Sequence, residues 1–102
     1  MAGPIPDLSD LDPNSRIMLS GISAVIDLDY SNAVSIFTRL IDLDPKNNQA
    51  YICRGYAYYI NQEYDKALVD ISEALKLVPE EQLGFYILEK IEVRIRSYRY
   101  IS

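Results

Sequence analysis

Residues 54–68, RGYAYYINQEYDKAL, hold four tyrosines. A tyrosine can donate a proton, act as a nucleophile, hydrogen-bond, or simply fill space. The chemical roles need a partner such as a base, a metal or a phosphate cradle. The chain has no histidine and one cysteine, Cys53. A histidine triad, a zinc–histidine site and a cysteine cluster are therefore all ruled out. The four glycines are isolated, so no glycine-rich phosphate loop is present. Asp27/Asp29 and Asp42/Asp44 stand beside expected turns, where carboxylates cap helices and keep the turn wet, and no EF-hand spacing occurs. Cys53 stands next to Arg54, yet it reads as a small packing residue rather than a nucleophile. No enzyme, cofactor or metal site is expected. The tyrosines belong either to a recognition surface or to the frame of the fold.

The elements that would position them are helices. Pro4 and Pro6 oppose early helix, and residues 1–12 read as an acidic tail carrying Ile5, Leu8 and Leu11. Asp12-Pro13 is a helix start. Ile17, Leu19, Ile22, Ala24, Val25 and Ile26 follow, and Asp29 is the expected N-cap of a second helix over about residues 30–43. Asp44-Pro45 ends it. A third helix is expected over about 47–60 and a fourth over about 64–77, closed by Val78-Pro79. A fifth starts near Glu80, with Glu80 and Glu81 in its first turn, and runs to about Tyr98. The short connections predict antiparallel hairpins.

Length and charge set the limits. A chain of 102 residues is one small domain. The net charge of -5 argues against nucleic acid. No apolar run approaches the roughly 20 residues a membrane span needs. The first residues do not look like a signal peptide, and one cysteine fits a reducing compartment, so the expected location is cytoplasmic. Charge is uneven: residues 1–89 hold six Lys/Arg against fourteen Asp/Glu, residues 90–102 four against one. The basic end either complements its own helix dipole or meets an acidic partner.

The chain superposes on itself at one fixed shift. When Gly21 is laid on Gly55, Tyr30 falls on Tyr64, Ala33 on Ala67, Phe37 on Ile71, Leu43 on Leu77 and Pro45 on Pro79. Ile17, Tyr51 and Phe85 share a column, as do Tyr30, Tyr64 and Tyr98. Residues and period together resemble the tetratricopeptide repeat. Residues 48–81 match closely, through Tyr51, Gly55, Tyr58, Ala67, Ile71, Ala74 and Pro79. Residues 13–47 match more loosely, with Leu40 where the family has alanine, and residues 82–102 resemble a lone C-terminal capping helix, with Glu89 at the glycine position. The resemblance implies an all-α, right-handed solenoid of helical hairpins with five helices.

It also implies a concave face built from the first helix of each unit. Met18, Ile22 and Val25 fall there in the first unit, with Leu19 and Ile26. Gln49, Ile52, Cys53, Tyr56 and Tyr59 follow in the second, with Ile60. Tyr86 and Lys90 come from the cap, with Leu83, Ile87, Val93 and Arg94. The family's carboxylate clamp uses Lys, Asn and Arg on this face, whereas Met18, Ile22, Cys53, Leu83 and Ile87 stand at those positions. Recognition of heat-shock chaperone tails is therefore not expected. An apolar face of this extent should be covered. The candidates are the chain's own tail, a second copy in a homo-oligomer, or a segment of a partner protein. The expected function is a non-enzymatic adaptor. The alternatives are a small chaperone resembling those of type III secretion, and a self-assembling module without external ligand.

Overall fold

The computed structural model describes residues 11–101, with side chains through residue 97. Five helices follow in order: α1 Pro13–Ile26, α2 Tyr30–Leu43, α3 Asn48–Ile60, α4 Tyr64–Leu77 and α5 Gln82–Ile101. No strand occurs among the described residues. The expected tail residues 1–10, with Ile5 and Leu8, and the side chain of Tyr98 lie outside them.

Local chemistry fixes the helix ends. Asp12 accepts from the Ser15 backbone N–H at 2.7 Å, Asp29 from Asn32 at 3.4 Å and Asn47 from Ala50 at 3.2 Å, each satisfying an orphan donor of the first turn. The bond to Ser15 holds the Asp12 carboxyl below its usual range. The turns inside the two hairpins are copies of each other. Leu28 (φ 64°) and Gln62 (φ 65°) both adopt the left-handed conformation. Asp29 N–H donates to the Ala24 carbonyl and, one repeat later, Glu63 N–H donates to that of Tyr58. This is the Schellman arrangement, made here without the glycine that usually stands at the left-handed position. The fifth helix begins later than its sequence suggests. Glu80 lies in the turn and Glu81 precedes the first helical residue, because the Glu81 N–H is committed to the Val78 carbonyl and the Glu81 carbonyl takes Phe85 N–H.

Packing explains the small residues. A Cβ on Gly21 would stand 2.5 Å from the Phe37 ring, and one on Gly55 2.8 Å from Ile71 Cδ1. Within each hairpin the helices therefore close onto a glycine. One core cluster joins α1, α2 and α3 through Ala24, Phe37, Leu40, Ala50 and Ala57. A second joins α3, α4 and α5 through Ile52, Ile71, Ala74, Ile87 and Ile91. Helix α1 touches α3 and α3 touches α5, whereas α2 and α4 barely meet. The odd-numbered helices thus form the inner row of the array and the even-numbered ones the outer row.

Candidate partner-binding face

The inner row carries the candidate residues in columns that step by one repeat. Ile22, Tyr56 and Lys90 form one, and all three are exposed, Ile22 at 39% and Tyr56 at 42%. Val25, Tyr59 and Val93 form a second, in which Val93 alone is exposed. Met18, Ile52 and Tyr86 form a third that runs from half-buried through buried to 58% exposed. Gln49 is exposed near the start of α3.

Two expected groove residues are placed otherwise. Ile52 is only 4% exposed, because α5 settles on α3 and takes Ile52 into the second core cluster with Ile87 and Ile91. Tyr59 is not an open ring. It is half-buried, with Tyr56 at 6.3 Å and Tyr64 at 5.9 Å between ring centroids. Met18, Val25 and Cys53 are half-buried against the first core cluster, so they floor the face rather than project from it. Burial pushes the Cys53 thiol up to about 11, which leaves it protonated and inert at neutral pH.

The α5 edge is held by aromatic neighbours. Lys90 Nζ sits 5.1 Å from the Tyr86 ring centroid, within cation–π range. The Tyr59 hydroxyl beside Arg94 raises the pKa of that guanidinium. Tyr58 and Tyr64 are half-buried against the second cluster and act as frame.

One polar network was hidden in the sequence. Arg54 on α3 donates Nε and Nη2 to the two Asp70 oxygens on α4, each at 2.7 Å, and Nη1 to Thr38 Oγ1 on α2 at 3.1 Å. Asp70 is almost fully buried. Ser20 and Ile36 stand at the matching positions of the first hairpin, so the pair is private to the second. The only sequence signal was this departure from its column. The network fixes α3, and with it Tyr56 and Tyr59, between the two outer helices. Among the described residues no cluster of Cys, Asp and Glu is placed to hold a metal, and no helix is long and apolar enough to cross a membrane.

Comparison with known proteins places this geometry. Residues 49–81 match the family model of the tetratricopeptide repeat. Human neutrophil cytosol factor 2 is 34% identical over 85 residues, covering 82% of this chain and 16% of that protein. Anaphase-promoting complex subunit 3 of Schizosaccharomyces pombe is 24% identical over 91 residues, covering 87% of this chain and 14% of that protein. The chain thus spans only 14–16% of the length of these relatives. The TPR2B domain of yeast Sti1, solved in complex with pHsp70, superposes with a TM-score of 0.78 at 20% identity, over 85% of this chain and 70% of that one. The matched unit, the periodic recurrence of turns and glycine contacts, and the shared fold agree: the chain is a tetratricopeptide-repeat protein.

Proposed function

We propose that this chain is a protein-interaction module that seats a segment of another polypeptide on the inner face of α1, α3 and α5. In this reading residues 13–47 and 48–81 are two units and residues 82–102 close them. The observation that carries it is the contrast between that face and the first end of the array. In α3, Ala50 and Ala57 are buried against α2, but Arg16 and Ser23, their counterparts one repeat earlier on α1, are polar and exposed. That end carries the polar side chains of Arg16, Ser20 and Ser23 around the exposed Leu19, while Ile22, Tyr56, Tyr86 and Val93 stay open on the inner face. An open apolar row beside polar neighbours is what a docking surface requires.

The related Sti1 domain has a protein ligand in its structure, which supports the general mode. The clamp positions themselves are apolar here, with Ile22 and Leu83 exposed and Ile87 buried, so a carboxylate held at those positions is not part of the proposal. The cytoplasmic location expected from sequence belongs to the same proposal, and the homo-oligomer expected from sequence makes a second copy the rival occupant of the face.

Selection of a random twelve-residue peptide library on the immobilised full chain tests the reading. Enrichment is expected on the wild type and is lost on Ile22→Glu/Tyr56→Glu, whose far-UV circular dichroism stays unchanged and whose melting falls only modestly, since both side chains are partly exposed. Equal enrichment on the variant excludes this face. Sedimentation equilibrium of both proteins tests the rival: a mass that rises with concentration and falls back in the variant assigns the face to a second copy.

A further inference from the structure

We infer that the segment seated on this face carries carboxylates, and that Lys90 and Arg94 receive them. The inference rests on the docking reading above and specifies its ligand. The face is graded along the array. Two of its columns run Ile22, Tyr56, Lys90 and Ile26, Ile60, Arg94. Each starts apolar on α1 and ends cationic on α5.

Three observations point to an acidic ligand. First, the chain holds 15 Asp and Glu residues, yet none stands in the inner-face columns. The charged residues in those columns are the two cations Lys90 and Arg94. Second, Lys90 and Arg94 lie one turn apart on α5, so they repel each other, and a like-charge pair at this spacing costs a helix a few tenths of a kcal/mol. Third, among the described residues neither makes an ion pair. Lys90 rests over the Tyr86 ring, and the Tyr59 hydroxyl stands beside Arg94. Among the described residues, then, neither cation has a counter-charge. Glu92 projects from the opposite side of α5, about 200° around the helix from Lys90.

Geometry sets the spacing of the ligand's groups. Successive packed helices lie about 8–10 Å apart, so α1 and α5 are separated by roughly 16–20 Å. An extended segment rises about 3.3 Å per residue. Its apolar anchor over Ile22 and its carboxylates over Lys90 and Arg94 are then about five or six residues apart.

The same library selection, run on the full chain as wild type, Lys90→Glu/Arg94→Glu and Ile22→Glu/Tyr56→Glu, tests the inference. Wild-type peptides are expected to pair an apolar cluster with Asp or Glu about five or six residues away. On Lys90→Glu/Arg94→Glu the acidic positions should turn neutral or basic while the apolar ones persist. Replacing the acids of an enriched synthetic peptide by Asn or Gln should weaken wild-type binding about three- to tenfold, and added salt should narrow the gap. Apolar peptides without acidic preference overturn this inference and leave the docking face standing. Acidic peptides retained equally by Lys90→Glu/Arg94→Glu place the carboxylates elsewhere and also overturn it. Absence of enrichment on the wild type overturns both readings together.

Discussion

Removing Asp70 should be the most damaging single polar change in this chain. Its two oxygens receive two charge-assisted bonds from Arg54 at 2.7 Å, with the Asp70 side chain 4% exposed and that of Arg54 19%. Hydrogen bonds to charged groups contribute about 1.5–3 kcal/mol each, and breaking a buried pair on one side costs about 3–5 kcal/mol. Water reaching the partly open guanidinium recovers some of this, so Asp70→Ala should cost about 3 kcal/mol. A domain of this size has a total stability of about 5–15 kcal/mol. The melting temperature should fall by more than about 10 °C. The double variant Arg54→Met/Asp70→Leu leaves no stranded charge and should lie within about 1 kcal/mol of wild type. Urea unfolding followed by far-UV circular dichroism on the wild type, Arg54→Met, Asp70→Leu and the double variant completes the cycle, with Asp70→Ala measured beside it. A loss below about 1 kcal/mol for Asp70→Ala, or a double variant as unstable as Asp70→Ala, refutes the reasoning.

With its pKa pushed up to about 11, the Cys53 thiolate is scarce at pH 8, and alkylation should run at least about tenfold slower in the folded chain than in urea. The folded thiol ionises later than the unfolded one, so the stability it contributes is complete below the unfolded pKa and is lost as pH rises through about 11. Equal alkylation rates in both states contradict the burial. Leu28→Gly and Gln62→Gly should each stabilise by about 0.5–1 kcal/mol in urea melts, because both residues hold a positive φ on the exposed surface. Gly21→Ala should destabilise by about 2 kcal/mol and more than Gly55→Ala, since the rigid Phe37 ring blocks the first Cβ while a movable Ile71 methyl blocks the second. The reverse order in calorimetry disproves that account.

The frame was legible because its signals are local. Asp12-Pro13, Asp29, Pro45 and Pro79 bound helices through interactions within a few residues of chain, and the four ends they mark fall where the helices do. The repeat columns added which residues pack, and Gly21, Gly55, Ala67 and Ala74 are buried as the pattern implies. The fifth helix was the exception, since whether Glu80 and Glu81 join it depends on how the Val78–Pro79 turn spends their backbone groups.

The face was legible only as a row. Periodicity decides which way a side chain leaves its helix, but not what stands in front of it. Ile52 and Tyr56 read alike in sequence, one turn apart on the same side of α3. Helix α5 covers the first and leaves the second open, because α5 settles with Ile87 and Ile91 against it. The bond of Arg54 to Asp70 reaches from one helix of the hairpin to the other and has no counterpart in the first hairpin. Sequence alone therefore determined the helices, their period and the inner row, which follow from backbone geometry and nearest-neighbour chemistry. Tertiary structure decided which groups on that row are covered, paired or left charged, because burial and ion pairing depend on helices that meet only after the chain has folded.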